Sequence, residues 1–229
     1  MDAVHKVGDL DRKVIAFTAR ARYSLEACGK AYDKIFQDLN NLYKKGWYEL
    51  RDIDYVELDQ EERPFAKRLC AWIKDNLNPS NVLDLGCGPG TYVESFTEIG
   101  VEALGYDTDP RVRGKKNLLC KSLFDVEHTA PVVLCLETAE HIKGLKNGQI
   151  VRAMVKALEP GGLLIWTAAK PGQGGVGHIN CRPKEYWEKR FDKAGLIREV
   201  ELEKTLIDFI SQGYHMGWFI QNLLIYRKP

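Results

Sequence analysis

The stretch Val82-Leu83-Asp84-Leu85-Gly86-Cys87-Gly88-Pro89-Gly90 carries the strongest chemical signal in the chain. An apolar strand-like run enters a loop with glycines at 86, 88 and 90, whose missing Cβ atoms permit backbone angles and close ligand approach that other residues forbid. A loop of this kind between strand and helix suits a bound nucleotide. The dinucleotide fingerprint G-x-G-x-x-G is not met, because Thr91 stands where its third glycine would be. Asp84 lies inside the strand, two residues before the loop. A carboxylate there repels a diphosphate and attracts a ligand that carries an ammonium and a sulfonium. The pattern favours S-adenosylmethionine over NAD; the alternative is a glycine turn beside a solvated aspartate.

Further chemistry is expected after each later strand, where ligands of open parallel sheets bind. Gly105-Tyr106-Asp107 puts an acceptor pair where a ribose diol would bind, although an aspartate there can also cap a helix. Leu123-Phe124-Asp125 offers an apolar wall and one acceptor for an adenine ring. Cys87 in the loop and Thr108 after Asp107 complete the expected cofactor contacts. Methyl transfer from a sulfonium is an in-line displacement in which alignment supplies most of the rate. An oxygen acceptor also needs a base with a pKa near the working pH. His141, just past the fourth strand, and His178, in the loop 171–182 after the fifth, are the candidates. That loop has glycines at 172, 174, 175 and 177 and reads as a lid. Glu137, Glu140 and His141 stand at i, i+3 and i+4 and, with His178, form a set able to hold a divalent ion such as magnesium. Asn180 is positioned to hydrogen-bond an acceptor hydroxyl. Tyr186 is a second substrate candidate, with a core role as its alternative.

VLDLGCGPG, GYD, SLFD, LETAEHI and LEPGG follow in the order seen in class I S-adenosylmethionine-dependent methyltransferases, and this resemblance covers about residues 80–170. It implies a Rossmann-like, doubly wound α/β sheet of seven strands whose last strand is antiparallel. It also implies that Gly86, Gly88 and Gly90 lie against the methionine part of the cofactor, that Asp84 meets its amino group, and that Leu136 and Glu137 flank the methyl-transfer centre. The E-x-x-E-H run resembles metal-assisted methyltransferases that act on RNA ribose ends or on catechol-type quinone precursors. The stretch GHINCRPKEYW and the tail WFIQNLLIYRK resemble a looser set of bacterial and phage enzymes associated with glycan or small-metabolite modification.

Positioning these groups requires a scaffold of alternating strands and helices. Strands are expected at 82–85, 101–106, 118–124, 132–136, 163–169, 196–202 and 218–226. Helices are expected after the glycine loop, at 149–158 and at 183–194. Residues 1–80 are read as a helical lid or substrate-selecting extension, and 81–229 as the methyltransferase domain. Within the extension, Pro64 is expected to open a helix with Phe65, Leu69, Trp72, Ile73 and Leu77 on one face. Trp47, Tyr48 and Tyr55 are candidates to line the acceptor pocket, and Arg63 to reach the donor carboxylate.

The 229 residues carry a net charge of +1, which argues against a chain held to nucleic acid by bulk charge. Arg111, Arg113, Lys115 and Lys116 form a local basic cluster without interleaved aromatics. No Asn-Pro-Pro-Tyr-type signature follows the fourth strand, so nucleic acid is not favoured. No apolar run reaches the ~18 residues of a membrane span. The N-terminus lacks an apolar signal core. No two of the six cysteines form a CxxC pair, and they read as buried thiols in a reducing cytoplasm. The reading is an S-adenosylmethionine-dependent methyltransferase acting on an oxygen of a small-molecule or glycan-like acceptor. Its alternatives are a non-enzymatic S-adenosylmethionine sensor and an RNA ribose O-methyltransferase.

Overall fold

The computed structural model describes residues 55–229 except 176, 214 and 215, with side chains from 59 onward. Trp47, Tyr48 and the Tyr55 side chain lie outside that description. The described residues belong to one compact unit, Asp54–Pro229. In chain order the elements are α1 (Tyr55–Leu77), β1 (Asn81–Leu85), α2 (Thr91–Glu98), β2 (Glu102–Asp107), β3 (Leu118–Cys120), β4 (Ala130–Cys135), α3 (Asn147–Ala157), β5 (Leu158–Trp166), α4 (Lys184–Lys193), β6 (Ile197–Arg198), α5 (Val200–Ser211), α6 (Gly217–Asn222) and β7 (Leu224–Arg227).

The seven strands form one sheet in the order β3-β2-β1-β4-β5-β7-β6. β1 pairs in parallel with both β2 and β4. β7 runs antiparallel to β5 and to β6. This is the expected Rossmann-like sheet with an antiparallel last strand. The chain reverses direction along the sheet between β1 and β4, so the carboxyl ends of those strands open a crevice.

Alternation along the strands builds two cores. Val82, Val132, Leu134, Leu163 and Ile165 face α1, α2, α5 and α6. Leu83, Leu85, Val133, Leu164 and Trp166 face α3 and α4. Helix α1 follows its apolar stripe: Phe65, Leu69 and Ile73 are fully buried and Trp72 nearly so, with Leu77 partly buried against them. It lies N-terminal to the boundary expected at residue 80, yet it packs as part of the compact unit. Phe65 meets Trp218 and Phe219 edge-on, with centroids 6.0 and 5.0 Å away. Among the described residues, no helix is long and apolar enough to cross a membrane.

Several boundaries differ from expectation, among them β5, which runs Leu158–Trp166 where 163–169 is expected. Pro64 lies inside α1 rather than opening it; it sits on the exposed side, where the carbonyl it leaves unpaired can meet water. The third strand stops at Cys120, because the Ser122 hydroxyl accepts the Phe124 N–H at 3.2 Å and starts a 3-10 turn over Leu123–Asp125. The strand expected at 196–202 shrinks to Ile197–Arg198 and continues as helix α5, which buries Leu206 and Ile210 four residues apart. The run expected as one strand at 218–226 divides into α6 and β7. Short apolar runs satisfy both periods, and contact with Phe65 selects helix at Trp218 and Phe219.

If α1 is integral to this unit, Phe65→Ala will cost about 3–5 kcal/mol of unfolding free energy. Urea denaturation followed by circular dichroism measures this. A loss below about 1 kcal/mol would contradict the packing.

Candidate active site

The loop after β1 is shaped by Gly86. Its φ is +93°, and a Cβ there would lie 2.3 Å from the Thr138 hydroxyl. The Gly86 and Cys87 N–H groups donate to the Tyr106 carbonyl at 2.8 and 3.1 Å, fastening the loop to β2. Gly88 N–H donates to Asp107 Oδ2 at 2.9 Å, and Asp109 N–H donates to Asp107 Oδ1 at 2.8 Å. Asp107 therefore stands at the carboxyl end of β2 beside the glycine loop, as the sequence suggests. Gly90 caps α2 from the left-handed region. The Cys87 side chain turns inward against Gly105, where a Cβ would sit 2.6 Å from Sγ. Thr108 is exposed. Leu123 is buried, and Phe124 is half-buried beneath Lys146, whose Nζ lies 5.1 Å from the ring centroid. Leu136 closes the end of β4 and is buried.

Carboxylates gather at this edge. Asp84 is 3% exposed, and Oδ2 has no hydrogen-bond partner among the described residues. Burial, then the charges of Asp107 and Glu62, push it up to about 8. Glu62, on α1, is pushed up to about 7 by burial, then by Asp59 and Glu137. Glu137 has φ +45° and accepts from Gln173 Nε2 at 3.1 Å and Asn222 Nδ2 at 3.2 Å. Glu140 is fully buried with both oxygens unpartnered among the described residues; burial and the neighbouring Glu137 carboxylate raise it. Buried carboxylates without a cation are expensive. The cluster is chemically matched to a cationic ligand, and S-adenosylmethionine supplies both an ammonium and a sulfonium.

Arg63 does not supply the missing cation. It chelates Asp59 at 2.6–2.8 Å and reaches Glu94 at 2.7 Å and Glu98 at 3.5 Å. These contacts, with Thr91 Oγ1 donating to Asp59 at 2.6 Å, pin α1 to α2. The expectation that Arg63 reaches the donor carboxylate is thus corrected: three acidic groups already occupy it.

The two histidines come together. Their ring centroids are 5.0 Å apart. His141 Nδ1 lies 3.0 Å from the Gly177 carbonyl and His178 Nδ1 lies 3.2 Å from the Gln173 carbonyl. A carbonyl only accepts, so each Nδ1 carries a proton, and in the neutral ring the lone pair then lies on Nε2. Ligand atoms of Glu140, His141 and His178 all lie within 4.8 Å of one another. Glu137, the fourth member of the expected set, is turned toward Gln173 and Asn222 instead. Gly175 makes room for the His178 ring, which a Cβ would approach to 2.2 Å.

Of the two substrate candidates, Asn180 is buried and Tyr186 half-buried. Asn180 is 3% exposed. Its Nδ2 donates to the Ala139 carbonyl at 3.0 Å and to Asn147 Oδ1 at 2.7 Å, while its Oδ1 accepts from Asn147 Nδ2 at 3.3 Å and Arg182 Nε at 3.0 Å. Its hydrogen-bonding capacity is spent on bracing the loop against the 3-10 turn that carries His141. The Tyr186 hydroxyl accepts from Asn147 at 2.6 Å. The Arg182 and Arg190 guanidinium carbons lie over its ring, 5.1 and 3.6 Å from the centroid. The basic cluster is also partly committed: Arg111 pairs with Asp109 at 2.7 Å and Lys115 donates to the Pro89 carbonyl at 3.1 Å. Glu62, Gln173 and Asn222 escaped the sequence reading. Glu62 alone had a signal there, as a charge inside the apolar stripe of α1.

A family described as a methyltransferase domain matches residues 58–212. The ubiquinone biosynthesis O-methyltransferase of Proteus mirabilis is 32% identical over 108 residues, covering 38% of this chain and 41% of its own length. The chain thus spans less than half of that curated relative. A SAM-dependent methyltransferase from Archaeoglobus fulgidus superposes with TM-score 0.55 at 16% identity, covering 76% of this chain and 100% of its own. The 1,6-didemethyltoxoflavin-N1-methyltransferase of Burkholderia thailandensis, solved with S-adenosylhomocysteine, gives TM-score 0.55 at 13% identity, covering 86% and 89%.

If the charge cluster receives the cofactor's cation, cofactor binding is pH-dependent. Asp84 and Glu62 have folded-state pKa values raised above those of the unfolded chain, so the free protein holds their protons up to about 8 and about 7. A cationic ligand favours the ionised forms, so protons leave on binding and affinity rises with pH. By the same sign, these two groups favour the folded free protein least above those values. Calorimetric titration with S-adenosylhomocysteine is expected to show at least a roughly tenfold gain in affinity from pH 5.5 to 7.5, with net proton release. A flat profile would sink this electrostatic account.

Proposed function

The chain belongs to the methyltransferase-domain family, and on that premise we propose that it moves the methyl group of S-adenosylmethionine to a hydroxyl oxygen of a small acceptor. The observation that carries the oxygen assignment is the Glu140–His141–His178 cluster after β4 and β5. A hydroxyl must lose its proton as the new bond forms, and two imidazoles with Nε2 lone pairs are suited to take it. The O-methyltransferase activity in the printed name of the Proteus relative supports the same assignment.

In this reading the glycine loop and Asp107 hold the adenosyl part, Leu123 and Phe124 cover the base, and Asp84 meets the ammonium. Leu136 and Glu137 lie at the methyl-transfer centre. Displacement needs the attacking oxygen in line with the methyl–sulfur bond, and the braced loop 171–182 fixes the acceptor side of that line. Residues 1–80 contribute the element that selects the acceptor, which is phenolic or glycan-like. The five described cysteines are all free thiols, in keeping with work in a reducing cytoplasm.

A second reading is favoured by one observation, the unpartnered buried oxygens of Glu140. Glu140, His141 and His178 fit a divalent cation as its protein ligands. Such an ion would lower the pKa of an acceptor hydroxyl directly.

Release of S-adenosylhomocysteine is to be followed with panels of phenols, glycans, amines and RNA oligonucleotides. Turnover confined to hydroxyl acceptors is expected, and turnover confined to amines would overturn the oxygen assignment. His141→Ala and His178→Ala are each expected to lower kcat by roughly 10²–10⁴-fold while cofactor affinity stays within about twofold. Gly175→Ala, which displaces the His178 ring, should behave like His178→Ala. EDTA separates the two routes: unchanged turnover removes the cation, and loss restored by magnesium or manganese installs it.

A further inference from the structure

We infer that Glu62 of helix α1 is a cofactor-binding residue that, together with Asp84, holds the ammonium of the donor's amino-acid end. The inference rests on S-adenosylmethionine being the donor and adds a contact from outside the strand-end motifs.

One face of α1 runs over the start of α2. Cys70 Sγ lies 3.7 Å from the Tyr92 carbonyl, Ala66 is fully buried one turn earlier, and Asp59 accepts from Thr91 Oγ1 at 2.6 Å. Glu62 stands between Ala66 and Asp59, four and three residues away, and so shares this face. It is thereby carried over the residues that follow the glycine loop. Its neighbour Arg63 turns to the α2 side, toward Glu94 and Glu98. Glu62 is left with no hydrogen bond or ion pair among the described residues, and the charges that act on it are those of Asp59, Glu137, Glu61 and, reciprocally, Asp84.

Helix α1 thus carries Glu62 over the residues that follow the glycine loop, and Asp84 lies in the strand that leads into that loop; among the described residues no lysine or arginine pairs with either carboxylate. Asp84 is buried with an unpartnered oxygen, which marks a missing donor at that spot. A primary ammonium has three N–H donors and can satisfy two carboxylates. A sulfonium has none and cannot complete the Asp84 hydrogen bonding. The ammonium is therefore the group that belongs with Glu62 and Asp84.

The test is calorimetric titration of the full chain and of Glu62→Gln with two probes, S-adenosylhomocysteine and 5′-methylthioadenosine, which lacks the amino-acid end. Loss of one charge-assisted contact predicts a roughly 10- to 100-fold weaker binding of S-adenosylhomocysteine by Glu62→Gln, with 5′-methylthioadenosine unchanged. Glu62→Asp, one methylene shorter, should give a smaller loss in the same direction, and it serves as the test if the Gln variant does not fold. Equal losses for both probes would reduce Glu62 to a structural role and overturn the inference, as would undiminished binding of S-adenosylhomocysteine. If the unaltered chain binds S-adenosylhomocysteine and only the variant comparison fails, the donor assignment survives alone. If the unaltered chain binds neither probe, the donor assignment falls and takes this contact with it.

Discussion

The gathering of carboxyl groups at the carboxyl edge of the sheet is the constraint around which this protein is arranged. Asp84 projects from β1, Asp107 ends β2, Glu137 and Glu140 follow β4, and Glu62 descends from α1. Asp84, Glu62, Glu137 and Glu140 are each held above the ordinary carboxylate range, with burial the largest cause. A protein selected for stability alone would exchange such groups for apolar ones or pair them with lysine or arginine. Here the arginine closest in sequence, Arg63, is spent on holding α1 to α2. The arrangement makes physical sense for a protein whose folded state is completed by a cationic ligand, and the sulfonium-bearing donor of the methyltransferases is such a ligand.

The rest of the fold supplies rigidity against that repulsion. The parallel core strands fix where each acidic residue emerges, because a one-residue slip would turn Asp84 to the opposite face. Gly86 lets Thr138 approach the loop, so the ends of β1 and β4 stay close. The Asp59–Thr91 and Arg63–Glu94 contacts fasten α1 over the glycine loop. On the acceptor side, Asn180 and Asn147 exchange amide hydrogen bonds that fasten the histidine-bearing loop to the turn after β4. The amide exchange itself adds no charge, and Arg182 joins it through Nε to Asn180 Oδ1.

What was legible in the sequence follows from how local each signal is. The strand–glycine loop–helix unit, Asp84, Asp107 and the meeting of His141 with His178 were readable because position after a strand fixes location. The weak points were residues whose roles depend on a partner remote in sequence. Asn180 read as an acceptor contact because it sits in a loop beyond a strand, and Tyr186 because it lies on the helix that follows, yet both hydrogen-bond Asn147. Arg63 read as a ligand for the donor carboxylate, but Asp59 and Glu94 are invisible as partners until α1 is laid against α2. Glu62 shows only as a charge in an apolar stripe, which commonly marks a solvated edge of a helix. Gln173 and Asn222 had no signal: the first is one polar residue in a glycine-rich loop, the second ends a helix that resembles a strand in sequence.

The placement of Glu137 joins the two halves of the site. Its backbone is held at φ +45°, a conformation that costs a non-glycine residue of order 1 kcal/mol or more. Gln173 from the loop and Asn222 from α6 hold its carboxylate, so the strain is met by contacts from two elements. Its charge acts on Glu62 toward the donor side and on Glu140 toward the histidines. A cation held by Glu62 and Asp84 offsets part of the repulsion that Glu137 feels. Ionisation of the Glu137–Glu140 pair then becomes cheaper, and with it the capacity of that pair to stabilise positive charge on the histidines as they take a proton. Coupling of this kind is reciprocal: positive charge on the acceptor side must strengthen the hold on the donor by the same free energy. On the proposed reading, the acidic edge would thus link donor occupancy to proton removal through a shared electrostatic term.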